Sequence, residues 1–366
     1  MNMQPSDRPN LFSPLTVRSI TLRNRIGVSP MCQYAAENGL LNDWHLVHLG
    51  ARAVGGAALV IVEPTAVEPR GRITPGDAGL WSDAQIEPLA RINRFIKQQG
   101  AVPGIQLAHA GRKGSTIPPW EHAFRSLTEA EGAWETIAPS PIPFGKSISH
   151  APREMTLEDI HAVQEAFRAA TVRALQADCE WLELHAGHGY LLHCFYSPLS
   201  NKRQDNYGGS FENRIRMTVE TVRVMRKVWP NSLPFTVRLS CTDWLEGGWT
   251  IDDSIELSKR LKDEGVDLID CSSGFLTPDF KTTPFGACFQ VPFAEAIRKE
   301  VKILTAAVGF ITDAMQADGI IRNEQADIVL LAREMLRNPF WPMEAADIVQ
   351  NKSAIQLSLK YQQAED

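Results

Sequence analysis

The sequence predicts an α/β protein: a single (β/α)8 TIM barrel occupying the whole chain, 1–366, with a long lid-like insertion after the third strand. Three observations carry this expectation. Eight short β-rich runs alternate with longer amphipathic stretches, the pattern of a sheet wrapped by helices. Most of the runs are continuously apolar, as suits parallel strands covered on both faces. Nearly every run also ends, on its C-terminal side, in a chemically capable residue: Cys32, Thr65, His109, His185 with His188, Arg238, Ser272 with Ser273, Gly309 and Arg333. A closed barrel gathers those ends on one face. An open doubly wound sheet would scatter them, and no G-x-G-x-x-G follows the first strand to support one.

In order, the strands are read at Ile26–Pro30, Ala58–Glu63, Val102–Leu107, Trp181–His185, Phe235–Leu239, Leu268–Cys271, Ile303–Ala306 and Ile328–Leu331. The helical stretches are Trp44–Val54, Ser82–Gln99, Thr156–Ala177, Glu212–Val228, Ile251–Asp263, Val291–Glu300 and Thr312–Arg322. Thr156-Leu-Glu-Asp159 and Thr250-Ile-Asp-Asp253 have the form of capping boxes. Gly100 and Gly265 stand where a left-handed residue closes a helix. Residues 111–152 are rich in Pro, Gly, Ser and Trp, and a segment of that length inside a compact domain predicts a lid or short hairpin over the active face. Residues 343–366 read as one more helix and a polar tail, Tyr361 to Asp366.

Composition narrows the function. The net charge is −6, with 22% charged and 44% hydrophobic residues, so no basic block is available for nucleic acid. No apolar run is long enough to span a bilayer. The opening Met1 to Asn10 has no apolar core of a secretory signal. The six cysteines form no C-x-x-C pair, which argues against a zinc ribbon or an iron–sulfur cluster and predicts reduced thiols in a cytoplasmic protein.

The chemistry centres on His185-Ala-Gly-His-Gly-Tyr190, just past the fourth strand. Two imidazoles can donate hydrogen bonds to an electron-poor oxygen, and a phenol can deliver a proton to a carbon that has become basic. A metal pair or two structural histidines are the other readings. A metal site wants a third ligand, and Glu183 is read as turned away on the strand, so no metal is expected. Cys32 follows Pro30 at the mouth without an adjacent base, which suits a thiol tuning a redox ring better than a nucleophile. Gln106 can pair with a ring edge bearing both donor and acceptor, and Arg238 can stabilise an anionic reduced ring. Val308-Gly309 and Ala332-Arg333, after strands seven and eight, stand where barrels hold phosphate.

The motifs Leu22-Arg-Asn-Arg25, Ser29-Pro-Met-Cys-Gln-Tyr34, Asp43-Trp-His45, Gln106-Leu-Ala-His-Ala-Gly-Arg112, Glu183-Leu-His-Ala-Gly-His-Gly-Tyr190 and Ser200-Asn-Lys-Arg-Gln-Asp-Asn-Tyr-Gly-Gly-Ser-Phe-Glu-Asn-Arg214 run across nearly the whole chain. They resemble the Old Yellow Enzyme family of FMN-dependent ene-reductases, in the bacterial branch that includes xenobiotic reductase A and NADPH dehydrogenases. The resemblance implies non-covalent FMN in the barrel mouth. Ser29, Pro30, Met31, Cys32 and Pro64 would line its ring, with Cys32 tuning the potential. Gln106, His185 and Arg238 would meet the ring, and Val308, Gly309, Ala332 and Arg333 the phosphate end. His185 and His188 would bind the substrate oxygen, Tyr34 would line the substrate site, and Tyr190 would donate the proton.

The implied reaction is reduction of the C=C bond of enones, maleimides or nitroalkenes, with NADPH (or NADH) as the hydride source, hydride passing from flavin N5, and ping-pong kinetics. Pro64 stands where relatives often carry Ala, Ala332 replaces a Gly, and Val308 replaces a substrate-lining Trp. The tail Leu359 to Asp366 lacks the terminal aromatic or Arg that relatives insert into a neighbouring subunit. A homo-oligomer, dimer or tetramer, is expected. A non-redox barrel acting on or binding a phosphorylated metabolite is the alternative.

Overall fold

A computed structural model of the chain describes residues 8–121, 125–279 and 281–349. Eight parallel strands close into a barrel. They are β1 (Ile26–Val28), β2 (Leu59–Ala66), β3 (Val102–Ala108), β4 (Trp181–Ala186), β5 (Phe235–Ser240), β6 (Leu268–Ser272), β7 (Leu304–Val308) and β8 (Ile328–Leu331). β8 pairs with β1, which completes the ring.

The continuous apolar runs are explained by two separate cores. Outward residues such as Val60, Leu182, Val237, Ile269 and Val329 pack with helix residues including Leu49, Ile92, Phe167, Val222, Leu257 and Ile297. Inward residues Leu59, Ile61, Trp181, Leu268, Ile328 and Leu330 fill the lower barrel. An antiparallel hairpin, Leu15–Val17 with Ile20–Leu22, forms the floor. Its Val17 and Leu22 join the inner cluster. Sequence periodicity misses this hairpin because three-residue strands carry too little pattern.

Above the apolar floor the interior turns polar. Gln106 lies opposite Glu183, Glu183 opposite Thr236, and Arg238 opposite Asp270. Glu183 therefore projects into the barrel with His185, contrary to the expectation that it turns away. Residues 181, 183 and 185 of a strand share one face.

The helices around the barrel are α1 (Asp43–Val54), α2 (Ile86–Gln98), α3 (Leu157–Gln176), α4 (Leu191–Tyr196), α5 (Phe211–Arg226), α6 (Ile251–Asp263), α7 (Val291–Val301), α8 (Ala314–Arg322), α9 (Arg333–Arg337) and α10 (Trp341–Ile348). Thr156 and Thr250 both form capping boxes. Gly100 and Gly265 are left-handed, at φ +73° and +88°. Among the described residues the insertion carries short 3-10 turns at Gly111–Lys113 and Glu129–Glu131, antiparallel bridges at Thr116–Ser126 and Gly145–Ile148, and a two-residue parallel pair, Ile137–Ala138 with Arg153–Glu154. It rests on the 200s loop, where the Arg203 guanidinium donates to the carbonyls of Pro139 and Met155. The polar tail expected after α10 lies outside the described residues. Among those described, no helix is long and apolar enough to cross a membrane.

Candidate active site

The loop after β4 is clamped from every side. His188 has φ +55°, uncommon for a residue with a side chain. Its N–H donates to Ser240 Oγ at 2.8 Å, and its carbonyl accepts from Lys113 Nζ at 2.8 Å. Gly189 is left-handed, and a Cβ there would stand 2.3 Å from the Phe275 carbonyl oxygen. Its N–H donates to His193 Nδ1 at 2.8 Å, and its carbonyl accepts from the Cys194 thiol at 3.2 Å. Because His193 Nδ1 accepts, its proton lies on Nε2 and goes to Asp243 Oδ1 at 2.7 Å. Asp243 also takes the Ser197 hydroxyl and the Trp249 N–H. α4 thus serves as a support for the loop.

The same logic applies to His185 and His188. His185 Nδ1 accepts from the Gly187 N–H at 3.2 Å, which places its proton on Nε2. That nitrogen is 3.2 Å from His188 Nδ1. His188 Nε2 in turn is 2.6 Å from Ser272 Oγ, and the Ser272 hydroxyl donates to Gln290 Oε1 at 3.3 Å. Burial, with the positive Arg238 nearby, pushes both imidazoles well below their ordinary pKa, so both are neutral. The Tyr190 ring packs edge-on against His185 with centroids 5.0 Å apart, and Lys113 Nζ lies 4.8 Å from the Tyr190 ring centre. Burial, with Cys32 and Asp77 nearby, raises the Tyr190 phenol well above its usual range. A narrow space of about 10 Å³ beside Tyr190 is lined by Pro64, Ile73, Asp77 and Ala108.

On the facing wall, the Cys32 thiol and the Tyr34 phenol are close neighbours. Burial and the nearby carboxylates of Asp77 and Glu63 raise the Cys32 thiol, which keeps it protonated and poorly suited to nucleophilic attack. Ser29 Oγ accepts from Arg238 Nη1 at 3.0 Å. Pro30 is buried and Met31 half-buried after β1. Pro64 falls where the β2–β3 register shifts, between Val62 and Thr65. A residue without an N–H is tolerated at such an irregularity.

Val308 ends β7 with Gly309 just after it, and Ala332 and Arg333 follow the adjacent β8. Gly309 has φ +110°, and a Cβ there would meet Gln290 Nε2 at 2.5 Å. The Arg333 guanidinium lies 4.2 Å from the centre of the Phe310 ring. Two strand-end residues turn out to hold loops. His109 bonds Glu68 at 2.8 Å and accepts the Gly111 N–H, and Thr65 donates to the Glu63 carbonyl.

Sequence reasoning gave no role to Lys113, Asp77, His193, Asp243 or Asp270. Lys113 follows a singled-out motif, and that proximity was the one available signal. The larger cavity, about 660 Å³, opens at the far end of the barrel around Lys262, Asp267, Arg298 and Asp327, away from this chemistry.

These residues fit a flavin. The buried Gln106 Oε1 has no partner among the described residues, as expected of an acceptor awaiting a ligand N–H. The buried Arg238 guanidinium carries a positive charge of the kind a reduced ring would need.

The comparisons agree. The profile of the NADH:flavin oxidoreductase / NADH oxidase family matches residues 10–351. An NADPH dehydrogenase of Geobacillus sp. (strain WCH70) is 47% identical over 338 residues, 92% of this chain and 93% of its own. The NADPH dehydrogenase of Bacillus subtilis (strain 168) is 44% identical over 339 residues, 92% of this chain and 94% of its own. Morphinone reductase superposes with a TM-score of 0.78 at 25% identity, over 93% of this chain and 90% of its own. The chain belongs to the NADH:flavin oxidoreductase / NADH oxidase family, the FMN-dependent oxidoreductases that include relatives of Old Yellow Enzyme.

Proposed function

We propose that the protein is an NADPH-dependent (or NADH-dependent) ene-reductase acting on the activated C=C bond of enones, maleimides or nitroalkenes. The observation that carries this reading is the convergence of His185 Nε2 and His188 Nδ1, 3.2 Å apart, beside the Tyr190 phenol. Two ring nitrogens meeting at one point, once both carry protons, suit a single oxygen that gains charge during reaction. Ser29, Pro30, Met31, Cys32, Pro64, Gln106 and Arg238 would hold the ring of FMN, and Val308, Gly309, Ala332 and Arg333 its phosphate end. Bound there, FMN supplies hydride transfer between nicotinamide and substrate.

The protein's part is binding, polarisation and proton delivery. For both imidazoles to donate to a substrate oxygen, His188 must carry its proton on Nδ1. The Ser272 hydroxyl, 2.6 Å from His188 Nε2, allows this by turning to donate to that nitrogen. The two hydrogen bonds then strengthen as negative charge builds on the oxygen. Tyr190, held protonated by its surroundings, gives its proton to the α-carbon. Tyr34 and Lys113 bound the substrate space. Relatives named NADPH dehydrogenases support the nicotinamide donor. Six free thiols fit a reducing cytoplasmic setting. Assembly as a homodimer or homotetramer completes the reading, with sedimentation as its check.

The decisive experiment separates the half-reactions of Tyr190→Phe. Alkene reduction is expected to slow by about 10²–10⁴-fold, the usual worth of a positioned acid. Flavin reduction by NADPH should stay within a few-fold. Equal loss in both halves would remove Tyr190 from the proton-donor role.

A further inference from the structure

The polar layer beneath the mouth contains more acid than it has base to neutralise. Two carboxylates, Glu183 and Asp270, share one guanidinium, Arg238, and all three are buried. Asp270 Oδ2 stands 3.1 Å from Arg238 Nε and forms the ion pair. An ionised Glu183 would leave a surplus buried negative charge with no cation of its own, as unfavourable as a broken buried pair.

Hydrogen-bond accounting points the same way. Gln106 Nε2 donates to Glu183 Oε1 at 2.8 Å. The Thr236 hydroxyl receives the Trp181 indole N–H at 3.2 Å. It stands 3.2 Å from both the Leu182 carbonyl and Glu183 Oε2, with one proton to give. Were Glu183 ionised, two acceptors would compete for that proton. With a proton on Oε2 the competition ends: Glu183 donates to Thr236, and Thr236 donates to Leu182.

We propose that Glu183 is an un-ionised carboxylic acid and a positioning residue: it holds the nitrogen of the Gln106 amide, so that the amide oxygen is the acceptor left for the imide N–H of the flavin. Burial raises Glu183, the charge of Asp270 raises it further, and Arg238 draws it partly back. A neutral Glu183 adds no charge of its own to the Arg238–Asp270 pair, so on this side a reduced, anionic ring meets no further carboxylate. The proposal rests on the placement of FMN over Gln106.

The test compares FMN-loaded wild type with Glu183→Gln. The infrared difference should show loss of the carbonyl stretch of an un-ionised acid. Loss of a carboxylate band overturns the proposal. The flavin midpoint potentials should coincide at neutral pH. In mildly alkaline buffer the wild type should fall below the variant, as its acid ionises near the reduced ring. A variant potential already higher at neutral pH overturns the proposal. Thr236→Val keeps the acid but removes its acceptor, and should shift the same infrared band; an unmoved band counts against the proposal. Gln106→Leu tests the placement separately. If FMN affinity and absorption are unchanged in that variant, the flavin lies elsewhere, whereas the infrared result on Glu183 stands by itself.

Discussion

The Ser272 hydroxyl, 2.6 Å from His188 Nε2, can accept from that nitrogen or donate to it, and on the proposed reading this sets whether the two imidazoles bind each other or a ligand. Ser272→Ala should weaken phenol binding by about fivefold to tenfold, the worth of roughly 1 kcal/mol for one hydrogen bond, with little change in melting temperature. Titration of the phenol charge-transfer band would measure this, and an unaltered affinity would take Ser272 out of the switch. Asp243 is purely a support. Asp243→Ala orphans three buried donors, from His193, Ser197 and Trp249. It should cost at least about 3 kcal/mol in a denaturant titration. Residues at strand ends, such as His185, Arg238 and Cys32, were legible because barrel geometry sends those positions to one face. Asp243, Lys113 and His193 were not, because a lone polar residue in a loop or short helix carries no periodic signal. Glu183 was legible and misread: its spacing of two from His185 fixed the shared face.

At the scale of elements, the long helices follow their patterns closely. α6 coincides with its predicted span of Ile251–Asp263, and the boundary comes from the Thr250–Asp253 capping box. Thr250→Ala should lower stability by about 1 kcal/mol, read as a shift in denaturant midpoint. Loss of less than a few tenths would mean that packing, not the cap, sets that end. α4 was missed because its six residues are uniformly buried and too short to show a period. β2 runs on to Ala66, beyond the predicted Glu63, because the register shift absorbs Pro64 where pattern reading stops.

Across the whole molecule, one buried cation links stability to pH. Burial lowers the Lys113 ammonium from 10.5 to about 7. The folded chain therefore binds fewer protons than the unfolded chain between those values, and stability rises with pH across that window. Below it the cost of burying the charge is fully present; above it that cost is gone. Relative to Lys113→Met, the wild type should gain a few kcal/mol between neutral and strongly alkaline buffer, with one pKa unit worth about 1.4 kcal/mol. Parallel curves for the two proteins would show that Lys113 does not titrate in that interval.

The hairpin at Leu15–Leu22, seated under Trp181 and Leu268, seals the cylinder from below. Among the described residues, that leaves the opposite end of the barrel as the way in. A nucleotide and an oxidant that must use the same opening exclude one another, so a large excess of either should throttle turnover rather than saturate it.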